Sequence, residues 1–192
     1  VKIGVFGGTF NPPHIGHLIV AERVREEIEL DKIFFIPSFI SPHKQEGEEN
    51  LSTHRYEMTM MTIHGNPAFE CLDIEIKKNG TSYTVDTLET LHAQYKDDEF
   101  YLMIGMDNYQ SFHTWKGPDR ILELATLVVM NRPNFQPQLN PHIKSEKISF
   151  ATVPNIEISS TDIRERVLRG ETIKYLVDDK VLNFISHCNL YK

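Results

Sequence analysis

Cysteine is scarce in this chain: Cys71 and Cys188 stand far apart. They form no CxxC pair and no metal-ligand spacing, so neither a disulfide framework nor a zinc ribbon is supported. Long apolar runs are missing too. The longest, Leu124 to Met130, is far too short to span a bilayer. The opening Val1–Phe6 lacks a signal peptide's longer apolar core and small-residue cleavage site. A cytoplasmic protein with plain thiols and no membrane partner is therefore expected. A basic excess is absent as well, since 20 Lys and Arg face 27 Asp and Glu, a net charge of −7. General nucleic-acid binders show the opposite balance, so no nucleic-acid partner is expected. A local basic pocket for a phosphorylated small molecule stays open. No repeat or low-complexity segment stands out.

What is present suits a single domain spanning residues 1–192, large enough to bury a core without staples. Apolar runs of strand length alternate with amphipathic runs. Strands are expected at Ile3–Phe6, Ile33–Ile36, Phe69–Ile76, Phe100–Ile104, Leu127–Met130 and Ile148–Val153. Helices are expected at Ile15–Glu29, Thr53–His64 (Ser52 as N-cap), Thr84–Tyr95, Thr161–Arg169 (stopped by Gly170) and Asp178–Cys188. This alternation predicts an α/β fold. It would be a Rossmann-like, doubly wound, mostly parallel sheet with helices on both faces and a small C-terminal helical segment. Ligand sites in such sheets lie at the carboxyl ends of strands. Two irregular stretches, Ser38–Leu51 and Arg132–Lys147, are long enough to be functional lids or mobile segments.

After the first strand comes Gly7-Gly8-Thr9-Phe10-Asn11-Pro12-Pro13-His14-Ile15-Gly16-His17. It is neither the GxGxxG fingerprint nor a Walker A loop. It does offer glycines that let backbone approach a ligand, and two histidines three apart at a helix N-terminus. Free N–H groups and the helix dipole attract anions there, so the segment suits a polyphosphate. A zinc site is the weaker alternative, because the Glu of HExxH and a nearby Cys are both missing.

His14-Ile15-Gly16-His17 resembles the HxGH signature of the nucleotidyltransferase superfamily, and it also spells the motif of class I aminoacyl-tRNA synthetases. The chain is short for a synthetase and has no KMSKS-like lysine loop. Ile158-Ser159-Ser160-Thr161-Asp162-Ile163-Arg164 instead is similar to the ISSTxxR motif of small adenylyltransferases. Pro42-His43-Lys44, Thr81-Ser82-Tyr83-Thr84-Val85-Asp86-Thr87-Leu88 and Ile104-Gly105-Met106-Asp107 resemble the pattern of bacterial nicotinate-mononucleotide adenylyltransferases. Departures occur at Ser41, Met106 and Phe112, which bear on pocket shape.

The resemblance implies transfer of AMP from ATP to nicotinate mononucleotide, a step of NAD biosynthesis. It implies that His14, His17, Arg164 and Lys44 act on the triphosphate. Gly7, Gly8, Thr9, Phe10, Gly105, Asp107, Ile158, Ser159 and Ser160 would line the ATP site. Tyr83, Thr84, Trp115 and Arg132 would hold the mononucleotide. Trp115, the one tryptophan, would be the platform under the pyridinium ring, a cation–π pairing. Mg²⁺ would come with ATP, with ligands the sequence does not name. Ser159 and Ser160 also fit as helix caps. Another adenylyl- or cytidylyltransferase, such as one acting on phosphopantetheine, and a nucleotide-sensing module without turnover remain alternatives. The oligomeric state is left open, a homo-oligomer included.

Overall fold

The computed structural model describes residues 1–40, 51–131, 139–143 and 146–192. Six strands form one sheet: β1 (Lys2–Gly8), β2 (Lys32–Pro37), β3 (Phe69–Cys71), β4 (Glu99–Gly105), β5 (Ala125–Asn131) and β6 (Ile148–Thr152). Their order is β3-β2-β1-β4-β5-β6 and every neighbouring pair is parallel. The expected doubly wound Rossmann-like fold is therefore present, and its order reverses between β1 and β4.

The strands read as nearly unbroken apolar runs because both faces are covered. Alternate residues of β2 serve opposite faces. Ile33 and Phe35 pack with Ala21 and Val24 of α1 (Ile15–Glu27) and Ile63 of α2 (Ser52–Ile63). Phe34 and Ile36 pack with Val85, Leu88 and Leu91 of α4 (Thr84–Gln94). Fully burying one such Leu, Ile or Phe contributes about 1.5–3 kcal/mol. A third apolar cluster joins Met58 of α2 to Ile163 of α7 (Ser160–Leu168) and Val181 and Ile185 of α8 (Asp179–His187). This is the C-terminal helical segment.

Some local expectations shift. Phe69–Ile76 is strand only to Cys71, where β2 stops offering partners, since Leu72 N–H makes a last bond to Phe35 O. Residues Ile74–Lys78 turn into a short helix, α3, with Glu75 in its first turn and Lys77 and Lys78 in its last, matching the helix dipole. Ser52 is the first helical residue of α2 and Leu51 occupies the N-cap. Two short helices went unanticipated, α5 (Met106–Ser111) and α6 (Pro118–Leu124). The second begins with Gly117 in the left-handed region (φ 65°) and Pro118 at the first turn, a start signal visible in the sequence. Most of Ser38–Leu51 and much of Arg132–Lys147 lie outside the described residues.

Candidate active site

Two cavities open side by side at the carboxyl ends of β1 and β4, where the strand order reverses. One measures about 510 Å³ and the other about 640 Å³. Phe6, Gly105, Asn108 and Met130 line both, so the chambers share a wall.

His14 and His17 line the larger chamber. His14 is the N-cap of α1 and its backbone N–H donates to His17 Nδ1 at 3.1 Å. That bond makes Nδ1 the acceptor, so a neutral His17 carries its proton on Nε2. The two rings stack at 3.7 Å with 23° between planes. Phe10, buried and at φ 49°, sets its ring edge against His17 at 5.0 Å. Burial holds the His14 imidazole down to about 4, against an ordinary 6.5. Burial lowers His17 to about 3, and the neighbouring His14 presses it further the same way. Both rings are neutral at pH 7. His14 Nδ1 is buried without a partner among the described residues. Gly16 is closely overlaid by the His14 ring: a Cβ there would lie 3.0 Å from His14 Nδ1 and 3.2 Å from its Cε1, so the ring would have to give way slightly.

Asp107 and Ile158 line the same chamber, and Asp107 is exposed at the start of α5. Ser159, Ser160 and Arg164 are not among its lining residues; Ser160 and Arg164 fasten the histidine loop, and Ser159 caps the helix that carries them. Ser159 Oγ caps α7 by accepting from Asp162 N–H at 3.1 Å. Ser160 is already helical, and its hydroxyl donates to Pro12 O at 2.8 Å. Arg164 Nη1 donates to Asn11 O at 2.7 Å and Nη2 to Thr161 Oγ1 at 3.2 Å.

The smaller chamber is lined by Gly7, Gly8, Thr9, Tyr83, Thr84, Gly105 and Trp115. Tyr83 is the N-cap of α4, so that helix's free N–H groups lie at this chamber. Phe112 packs beneath Trp115 with ring centroids 5.3 Å apart. The two chambers meet at Gly105, but the division differs from the expected one: Gly7, Gly8 and Thr9, expected at the ATP site, line the chamber of Tyr83, Thr84 and Trp115, because β1 ends there rather than beside the histidines. Phe10 stands behind the histidines rather than in either chamber, as its burial requires. Lys44 and Arg132 lie outside the described residues.

Several site residues escaped the sequence reading. Arg55 is fully buried on α2, and donates to Thr9 O at 2.7 Å and Phe39 O at 3.0 Å. Its signal was a lone cation in the buried stripe Ser52, Arg55, Met58, Thr62. Asn108 sits in the shared wall, one residue after Asp107. Glu75 lines the smaller chamber and accepts from Thr87 Oγ1 at 2.7 Å; burial raises its carboxyl above the usual range. Ser38 Oγ is buried at this chamber without a partner among the described residues. Lys116 lies at its rim, 4.4 Å over the Tyr83 ring, and shares Asp86 with Lys78. Among the described residues, no three His, Cys, Asp or Glu side chains gather as a metal site, and no helix is long and apolar enough to cross a membrane.

The cytidylyltransferase-like family model matches residues 5–166. The chain belongs to that family, which accords with the nucleotidyltransferase motifs at His14 and Arg164. Its relatives are more specific. A protein of Dictyoglomus thermophilum named "probable nicotinate-nucleotide adenylyltransferase" is 44% identical over 195 residues, covering 100% of both chains. One of the same name from Salinibacter ruber is 40% identical over 193 residues, covering 100% of this chain and 98% of its own. The solved nicotinic acid mononucleotide adenylyltransferase of Plasmodium falciparum, complexed with NaAD, has a TM-score of 0.76 at 18% identity. It covers 99% of this chain and 97% of that one, and shows the shared fold.

Proposed function

We propose that this chain transfers AMP from ATP to nicotinate mononucleotide, releasing pyrophosphate. The observation that carries the reading is the pair of joined chambers. One holds two imidazoles at a helix N-terminus; the other holds Trp115 beside the N-terminus of α4. ATP would occupy the first and the mononucleotide the second, so that both phosphates meet near Gly105. An oxygen of the mononucleotide phosphate attacks the α-phosphorus, and the bond from that phosphorus to the bridging oxygen breaks. A phosphomonoester is already largely anionic at pH 7, so no protein base is needed. Catalysis then rests on in-line positioning and on donors for the charge of the leaving pyrophosphate.

His17 Nε2–H and His14 would donate to triphosphate oxygens. Arg164 would offer N–H groups not used on Asn11 and Thr161, and Lys44 a further cation. Gly7, Gly8, Thr9, Gly105 and Ile158 would give backbone access, with Phe10 and Ser159–Ser160 shaping the frame. Asp107 would accept from ribose hydroxyls. Trp115 would stack on the ring, Tyr83 and Thr84 would receive its carboxylate, and Arg132 would meet the mononucleotide phosphate. Mg²⁺ would ride on the triphosphate and waters, which fits the want of a gathered ligand set among the described residues, and would neutralise phosphate charge. The chain would work as a single domain in the cytoplasm.

Pyrophosphate release with ATP and a panel of acceptors tests the reading. Turnover with nicotinate mononucleotide is expected. Release with phosphopantetheine alone would move the protein elsewhere in the family, and tight ATP binding without any release would make it a sensor.

A further inference from the structure

We infer that Tyr191 is a positioning residue for Arg164 and the histidine loop, acting through Asn11. The inference rests on the reading that Arg164 serves the leaving phosphates. In the loop from Thr9 to His14, three carbonyls accept from side chains of later elements: Thr9 O from Arg55, Asn11 O from Arg164 and Pro12 O from Ser160. Asn11 is gripped twice, through its main chain and its side chain. Its carbonyl takes Arg164, and its side-chain oxygen takes the Tyr191 hydroxyl at 2.6 Å, across 180 residues of chain. Asn11 is buried, so without that donor its oxygen would stand unpaired or pull the residue round to water. Rotation of Asn11 would carry its carbonyl with it, and the Arg164 fork is fastened to that carbonyl.

The tail is built to deliver this hydroxyl. Asn189 (φ 51°) and Tyr191 (φ 65°) both adopt left-handed backbone, unusual for residues with a Cβ. Between them Leu190 is buried in the cluster formed by α2, α7 and α8. The two turns bring the Tyr191 ring back toward the loop. Burial raises the phenol's ionisation above its ordinary value, so the hydroxyl remains a donor. A second tie supports the same arrangement, since Leu176 O accepts Ile15 N–H at 2.9 Å at the start of the histidine helix. Leu176 and Tyr191 both lie beyond residue 166, where the family match stops. The segment after the common nucleotidyltransferase core therefore acts on the core's own motif.

The test is a double-mutant cycle on the full chain, with wild type, Tyr191→Phe, Arg164→Ala and the pair. Turnover is measured with ATP and nicotinate mononucleotide, alongside amide exchange over residues 9–17. Misplacing a catalytic group by about 1 Å can cost 10²-fold. Tyr191→Phe should therefore lower kcat by about 10–100-fold, with both KM values little changed and faster exchange at the Asn11, His14 and Ile15 amides. In the Arg164→Ala background the same change should cost less than about 2-fold, because coupled residues are not additive. An unchanged kcat, or an equal loss in both backgrounds, would overturn the inference. Should Tyr191→Phe fail to fold, Asn11→Ala removes the acceptor instead, and near-normal kcat there overturns it equally. If wild type makes no pyrophosphate from nicotinate mononucleotide, the functional reading falls. The exchange comparison then decides alone, and unaltered exchange refutes the positioning role.

Discussion

Lowering the pH from 8 to 5 should cost this protein stability through its two stacked histidines. The folded chain holds His14 near 4 and His17 near 3, while both sit at 6.5 when free. Their folded values are depressed, so the unfolded chain binds more protons. The stability they permit is complete above about pH 7.5 and is lost as pH falls from 6.5 toward 3. At pH 5 an unfolded ring is almost wholly protonated and a folded one almost wholly neutral. Linkage then gives a loss of about 2 kcal/mol per ring, or up to about 4 kcal/mol for the pair. That is a large fraction of a typical domain's 5–15 kcal/mol. Glu75, whose carboxyl is raised, acts oppositely and gains stability on acidification. The depressed carboxyls of Glu22 and Asp86 lose theirs only at lower pH. Urea melts at several pH values, compared between wild type and a His14→Gln, His17→Gln double variant, isolate the two rings. Equal slopes between pH 8 and 5 would refute the assignment. The same rings should take up protons when a triphosphate binds, which calorimetry in buffers of different ionisation enthalpy would detect.

Other outcomes follow from the same geometry. Gly16→Ala should displace the His14 ring, since its Cβ would arrive 3.0 Å from Nδ1; turnover should drop at least 10-fold, and a crystal structure with His14 unmoved would contradict this. His17→Ala should lower kcat on the order of 10²–10³ while raising the KM for ATP much less; near-normal turnover would remove it from the catalytic set. Trp115→Ala should weaken nicotinate mononucleotide by about 1–3 kcal/mol, as for other stacked bases, and spare ATP. Because Trp115 is the one tryptophan, quenching of wild-type fluorescence by the mononucleotide reports the same contact, and unaltered emission at saturation in a sample proven active would make it a packing residue.

The sheet and the histidine loop were legible because their signals are local. A strand buried on both faces must be apolar over its whole length, and the HxGH spacing sets two rings on one helix end within four residues. The ends of elements were less so. Nothing in Phe69–Ile76 itself says that β2 ceases to pair after Cys71. Arg55, Glu75 and Tyr191 were missed for a related reason. Each acquires its meaning from a partner brought by the fold: Thr9 lies 46 residues from Arg55 and Asn11 lies 180 from Tyr191. Ser160 read as a cap from its neighbours alone, yet its hydroxyl is spent on Pro12, 148 residues away.

Gly7 is the next-to-last residue of β1 and Gly105 the last of β4, and a Cβ added at either would meet no protein atom within 4 Å. Neither position carries the left-handed backbone that would demand glycine. The fold alone is indifferent to a methyl group at these points. Both residues line the smaller chamber, and Gly105 also forms part of the wall between the two. Selection for glycine there would come from what passes between the chambers, leaving no trace in the free energy of folding. A survey of variants scored by abundance would rate alanine at both sites as harmless, while one scored by growth on this enzyme's product would not. Disagreement between two such maps would outline the dinucleotide's path without any bound ligand being seen.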